Sequence, residues 1–493
     1  MQDKVIIIGA GAGGLAAAIR LSRSGLAVTL LERHEHAGGK IRHNRASGTL
    51  ISNGPTVCTM RHVADDLLRE GGLVPEDEVR FIPAARLARH AWLDGTRLDL
   101  FHEQGATYGA IEHAFGRVEA DGYLRFSAQA GRITDILRHT FMMAPKTGAT
   151  GLSARIGLHR PQDLLATQPF RKLIAELGTY FRDPRLIQLF GRYATYVGSS
   201  PFLAPATLML IAHVEHEGVW LVEGGMPALA SALLRAAEKQ GTVFRSRSTV
   251  RNILVSGGRI CGVELENGDR LSADRVIFNG DPAALSEGLL GAAVQKSAPP
   301  LPKTKRSLSA ITLCARTETD GFPLDYHTVF FGDDYAEEFA AIFGRREICR
   351  TPTVYICAED RPHGTATGPE RLFCLINAPA DGDLGDPKLT KAGYPGWLAD
   401  YLGRFGLSVT FPAETASMTF PADFNHAFPG AGGALYGAAN HGPFDSFARP
   451  GSRSRLPGLY LAGGSAHPGA GVPMALISGM LAADAVLQDM RAG

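Results

Sequence analysis

Four glycines, Gly9, Gly11, Gly13 and Gly14, stand directly after the apolar run 5–8 and directly before the apolar stretch 15–21. Gly9 permits a tight turn, Gly11 lets backbone approach a phosphate, and Gly14 lets a following helix pack closely on its strand. The first turn of that helix offers free N–H groups and the positive end of a dipole to a pyrophosphate. Glu32 closes a second apolar strand, 28–31, where a carboxylate can accept hydrogen bonds from ribose hydroxyls. Strand, glycine turn, helix, strand and acid, in that order, describe a binding site for an adenine dinucleotide.

The residues after Glu32 select the dinucleotide. Arg33 and a short spacer lead to Gly38-Gly39-Lys40, an extension typical of two-domain FAD oxidoreductases and usually lacking in nicotinamide dehydrogenases. FAD is the expected cofactor. A second constellation lies near the C-terminus, where a strand at Leu459-Tyr460-Leu461 runs into Gly463-Gly464, a loop of small residues ending in Val472, and a helix from about Pro473, with Met474 in its first turn. Such a helix start would stabilise the negative charge that builds up near N1 and the C2 oxygen of a reduced flavin.

Among titratable residues, His467 is the candidate for catalysis because its loop leads into that helix; the alternative is a loop histidine bonded to backbone. Tyr193 and Tyr196 are candidate lining residues for a substrate tunnel, although the segment 192–197 reads better as a packed helix face. His213 and His216 sit three apart without a further ligand, so a solvated helix face is expected and no metal. The acids at 333–338 read as a helix start.

These residues need a scaffold, and 493 residues suffice for two domains. Lysine and arginine (50) nearly balance aspartate and glutamate (49), which gives no field suited to nucleic acid. Six scattered cysteines without a CxxC pair fit a reducing compartment. The first strand begins too early to leave room for a signal peptide, and no apolar run reaches the ~20 residues of a spanning helix. A cytoplasmic protein, or one attached to a membrane surface, is expected. The fold class is α/β: a discontinuous Rossmann-type domain from 1–60, 218–290 and 451–493, and a mixed α+β substrate domain from 61–217 and 291–450. Within the first, a helix over 227–238 is followed by short strands at 243–245, 250–255, 260–266 and 275–279, the last returning to the nucleotide sheet.

With Gly54-Pro55-Thr56, Gly224-Gly225-Met226 and the segment 467–473 added, the chain resembles the bacterial carotenoid desaturases of the phytoene desaturase family along nearly its whole length. The segments 181–185, 191–198 and 428–437 resemble more narrowly the hydroxyneurosporene (1-hydroxycarotenoid 3,4-) desaturase branch. The resemblance implies an FAD-dependent oxidoreductase acting on CH–CH bonds, which introduces a C3–C4 double bond into acyclic 1-hydroxy- or 1-methoxycarotenoids. It extends the cofactor contacts to Gly54, Pro55, Thr56 and Val250. An acyclic C40 carotenoid as substrate implies peripheral attachment to a membrane, with quinone or oxygen as electron acceptor. Loss of hydride from C4, allylic to the polyene, spreads positive charge over many double bonds, so an apolar tunnel matters more than a strong base. Two residues depart from the wider pattern: Ser52 replaces an acid before the Gly-Pro-Thr turn, and Gly464 replaces the acid that commonly holds the ribityl chain. Phytoene-type desaturation, carotenoid isomerisation, flavin amine oxidation and non-enzymatic lipid binding remain alternatives.

Overall fold

The computed structural model describes residues 3–157, 160–362, 368–385 and 391–492. Its first strand, Lys4–Ile8, lies inside a five-stranded parallel sheet. Ala27–Leu31 pairs on one side with Val28 opposite Val5, and Arg275–Phe278 on the other with Val276 opposite Ile6. Leu459–Leu461 and Val243–Arg245 complete the two edges. Burial on both faces explains why the first strand is a continuous apolar run rather than an alternating one. Val250–Ser256, Arg259–Leu265 and Arg270–Ser272 form a separate antiparallel sheet between the helix Met226–Lys239 and the returning strand.

Helix Ala12–Arg23 and the last helix, Val472–Ala492, pack backbone to backbone: a Cβ on Gly479 would sit 2.0 Å from the Gly13 carbonyl oxygen. The last helix is long and apolar enough to cross a membrane, although no single unbroken apolar run in the sequence marks it as such. Its Leu476, Ile477, Ala482 and Val486 are instead buried in the same core as Ile7 and Leu15. Helix Arg61–Glu70, expected with the substrate part, also packs there through Val63, Leu67 and Leu68, because Ala12–Arg23 and Met226–Lys239 leave a groove for its apolar face.

A second, seven-stranded sheet has the order Ser417–Thr419, Ser309–Thr317, Glu370–Ala378, Val354–Ala358, His327–Phe331, Arg86–Trp92, Arg97–Phe101. In its central strands the side chains alternate between two faces. Val354 and Ile356 face the helix Tyr394–Gly403 with Leu398 and Leu402, while Tyr355 and Cys357 face a helical layer built from Arg117–Leu137, Leu173–Tyr180 and Pro184–Gly191. The helix Arg117–Leu137 widens at its end into a π-helical turn at Arg138–Met142. Between this sheet face and the helical layer lies the main cavity.

Candidate cofactor and substrate site

The dinucleotide loop is held open by backbone bonds. Glu32 is buried, and its two carboxylate oxygens accept from the Ala10 N–H at 2.8 Å and the His34 N–H at 2.9 Å. Each oxygen keeps a lone pair for a ribose hydroxyl. Gly9 has φ +97°, and a Cβ on Gly14 would lie 2.0 Å from the Gly9 carbonyl oxygen. The Gly38 N–H donates to the Ala10 carbonyl at 2.8 Å, and Gly39 lies so close that its Cβ would approach Gly11 Cα at 3.1 Å. The two glycine clusters thus form one cradle. The helix start at Ala12 has no side-chain cap and no acid in its first turn, which leaves its N–H groups to an anion. These features fit the pyrophosphate and ribose of FAD.

Arg33 is exposed at the strand end, and Val250 is buried beside Leu31 and Ile6. Lys40 turns inward. Its Nζ donates to the Leu435 carbonyl at 2.6 Å, and burial pushes its pKa down to about 8. Gly54 rests on this segment: a Cβ there would meet the Lys40 carbonyl oxygen at 2.1 Å. An acid does reach the Ser52 turn from elsewhere in the chain: Glu359, in the turn after the strand Val354–Ala358, accepts from the Ser52 N–H through Oε1 at 2.7 Å and pairs with Arg371 at 3.3 Å. Asn279, another residue the sequence did not single out, ties the pieces together. Its amide donates to the Gly9 carbonyl at 3.0 Å, and its Oδ1 would lie 2.8 Å from a Cβ on Gly463. Gly463 itself donates to Ser478 Oγ at 3.2 Å. Gly464 is held by its carbonyl, which accepts from the buried Arg449 at 3.0 Å.

The cavity, of about 790 Å³, is bounded at its cofactor side by Gly54, Pro55, Thr56, Val472, Pro473 and Met474. Its walls are largely aliphatic and aromatic, among them Leu137, Phe141, Ile156, Leu208, Ile211, Val214, Phe373 and Leu375. At one rim Leu165, Phe170 and Phe444 are 76%, 75% and 56% exposed. Deeper, Tyr196 Oη donates to Glu215 Oε1 at 2.9 Å, and Tyr355 Oη lies 2.6 Å from both Thr56 Oγ1 and His327 Nδ1.

His467 does not reach this cavity wall. It is 2% exposed, its Nε2 bonds the Ala144 carbonyl at 2.8 Å, and its ring meets Phe141 edge to face at 4.9 Å. It pins the loop to the helical layer, as a loop histidine bonded to backbone. Tyr196 lines the cavity, whereas Tyr193 is buried behind it and donates to Glu215. His213 pairs with Glu217 at 3.6 Å, and among the described residues no His/Cys/Asp/Glu group is arranged to hold a metal. Ser465 donates to Asp281 at 2.7 Å.

A Rossmann-type cradle joined to a mixed-sheet domain and an apolar cavity defines a two-domain FAD oxidoreductase. The family model for flavin containing amine oxidoreductases matches residues 12–487, and the chain belongs to that family. It is 44% identical over 492 residues to a hydroxyneurosporene desaturase of Rubrivivax gelatinosus, covering 99% of this chain and 94% of that one. It is 43% identical to the hydroxyneurosporene desaturase of Cereibacter sphaeroides (99% and 98% covered) and 30% identical to a 1-hydroxycarotenoid 3,4-desaturase of a Flavobacterium species (98% and 99%). Putrescine oxidase bound to putrescine superposes with a TM-score of 0.61 at 16% identity, with 100% of each chain covered, which shows a shared fold.

Proposed function

We propose that the chain desaturates acyclic 1-hydroxy- and 1-methoxycarotenoids, such as 1-hydroxyneurosporene, between C3 and C4. The observation that carries this reading is the join between the dinucleotide cradle and a cavity of about 790 Å³ with aliphatic and aromatic walls. A long hydrocarbon suits that lining, and the names of the full-length relatives agree with it.

FAD, when bound, supplies the acceptor for a hydride. The chain's own work is to hold, align and dry. Gly9, Gly11, Gly13 and Gly14 receive the pyrophosphate, Glu32 and Arg33 the adenosine side, and Val250 packs where the strand end lies beside Leu31. Gly38, Gly39 and Lys40 brace the cradle; Gly54, Pro55 and Thr56 line the cavity together with Val472, Pro473 and Met474 at the reacting end, and Gly463 and Gly464 form the loop that leads to that helix. Leu137, Phe141, Phe373 and Leu375 exclude water from a substrate whose charge is stabilised by its own polyene. His467 acts as a positioning residue in this scheme.

The exposed rim of Leu165, Phe170 and Phe444 supports entry of the carotenoid from a membrane surface, with the protein attached peripherally on the cytoplasmic side and a quinone or oxygen reoxidising the cofactor. The test of the reaction is pigment analysis in a host that accumulates 1-hydroxyneurosporene. The expected product is two hydrogens lighter, with a red-shifted spectrum. Unchanged pigment beside flavin-loaded protein would overturn the reading and bring phytoene-type desaturation or isomerisation forward.

A further inference from the structure

Arg192 gives the cavity a feature that a pure hydrocarbon does not call for. It lines the cavity at the start of a 3-10 turn, Arg192–Val197, beyond the apolar walls. Its Nη1 donates to Tyr196 Oη at 3.3 Å, and its guanidinium lies over the Tyr196 and Tyr355 rings, 5.3 and 5.6 Å from their centroids. Glu215 lines the same wall, but its oxygens are already occupied by Tyr193 and Tyr196. Among the described residues no carboxylate lies within ion-pair distance of Arg192, and Tyr196 is its only hydrogen-bond acceptor. The remaining donors of the guanidinium are left to whatever enters. A saturated or polyene chain end packed against them would strip water from a cation and return nothing.

We propose that Arg192 donates a hydrogen bond to the C1 oxygen of the carotenoid, and that this contact sets which carbons stop at the cofactor loops. The inference rests on the 3,4-desaturase reading. Arginine donates and never accepts, so it binds an ether oxygen as readily as a hydroxyl oxygen, which suits both 1-hydroxy and 1-methoxy substrates. Its position fits the task. Tyr355, whose ring lies under the guanidinium, is hydrogen-bonded through its hydroxyl to Thr56 on the cofactor-side turn. Only three bonds separate C1 from C4, so an oxygen anchor must lie beside the reacting end and not at the membrane rim. Tyr196, fixed by Glu215, holds the guanidinium in place.

The experiment compares 1-hydroxyneurosporene with neurosporene, each presented in liposomes to flavin-loaded wild type, Arg192→Met and Arg192→Lys. The wild type should favour the hydroxylated compound. Arg192→Met should raise its KM for that compound at least tenfold, lower kcat as well because the chain end is no longer held in register, and lose the discrimination, with flavin content and melting temperature kept; Arg192→Lys should restore part of it. Discrimination undiminished in a flavin-loaded Arg192→Met protein overturns the proposal. Should that variant fail to fold, Tyr196→Phe, which frees the guanidinium from its anchor, must weaken the discrimination or the proposal fails. Binding alone, followed by the carotenoid's absorption shift, separates the two claims. Oxygen-dependent binding without turnover would leave the contact standing and sink the desaturase reading.

Discussion

Glu32 shapes the glycine loop with its carboxylate, and in the function proposed above the same oxygens would accept from a ribose. Replacing it by alanine leaves the buried Ala10 N–H and the His34 N–H without their acceptor. Each such loss costs about 1–3 kcal/mol, so Glu32→Ala should lower the melting temperature even of flavin-free protein and should purify with a reduced ratio of flavin to protein absorbance. An unchanged ratio would mean that the carboxylate is not at the cofactor. His467 predicts the opposite pattern. His467→Phe keeps the ring against Phe141 and removes one bond to the Ala144 carbonyl. Stability should fall by about 1 kcal/mol and kcat by less than tenfold; a loss of a thousandfold or more with flavin retained would restore a catalytic role. The geometry of the glycines and Glu32 was legible in the sequence because it is built locally, within one strand–turn–helix–strand unit. The aim of His467 was not, because it is decided by Ala144, which is 323 residues away.

The same distinction holds for whole elements. The parallel sheet could be anticipated from apolar runs and turn residues, since each strand announces itself locally. The seven-stranded sheet could not, because Arg86–Trp92 finds its parallel partner in His327–Phe331, with Thr328 opposite Arg89, and nothing in either segment names the other. That pairing also buries His90 and His327 in neighbouring strands. Burial, then the nearby charge of Arg192, pushes both pKa values down to about 3. The unfolded histidines titrate near 6.5, so below that pH the unfolded chain binds more protons than the folded one. Stability is therefore full above about pH 6.5 and is lost progressively as pH falls toward about 3. Thermal melting between pH 8 and 5 should show a flat region and then a decline, and His90→Gln should make the decline shallower. A slope that ignores this substitution would assign the acid sensitivity to other groups.

At the scale of the molecule, the site connects two solvents. The cradle must meet a water-soluble cofactor, and the cavity must admit a substrate that dissolves only in lipid. Leu165, Phe170 and Phe444 stand at the rim, with the Phe170 and Phe444 rings 5.9 Å apart edge to face, and they remain largely exposed. With a formal net charge of +1, the chain as a whole has little electrostatic pull toward anionic lipid, so these side chains would have to supply the attachment. Burying each contributes about 1.5–3 kcal/mol, enough together to hold the rim in a bilayer interface and still let go. Flotation with neutral liposomes should therefore recover the wild-type protein with the lipid at both low and high salt, because apolar insertion is not screened. The triple variant Leu165→Ser, Phe170→Ser, Phe444→Ser should stay with the soluble fraction while keeping its flavin, since none of these residues touches the cradle. Its activity should fall on carotenoid embedded in liposomes and persist on carotenoid dispersed in detergent. Equal flotation of variant and wild type would move the membrane contact to another face of the molecule, and a wild type that never floats would mean that the carotenoid reaches this cavity by another carrier.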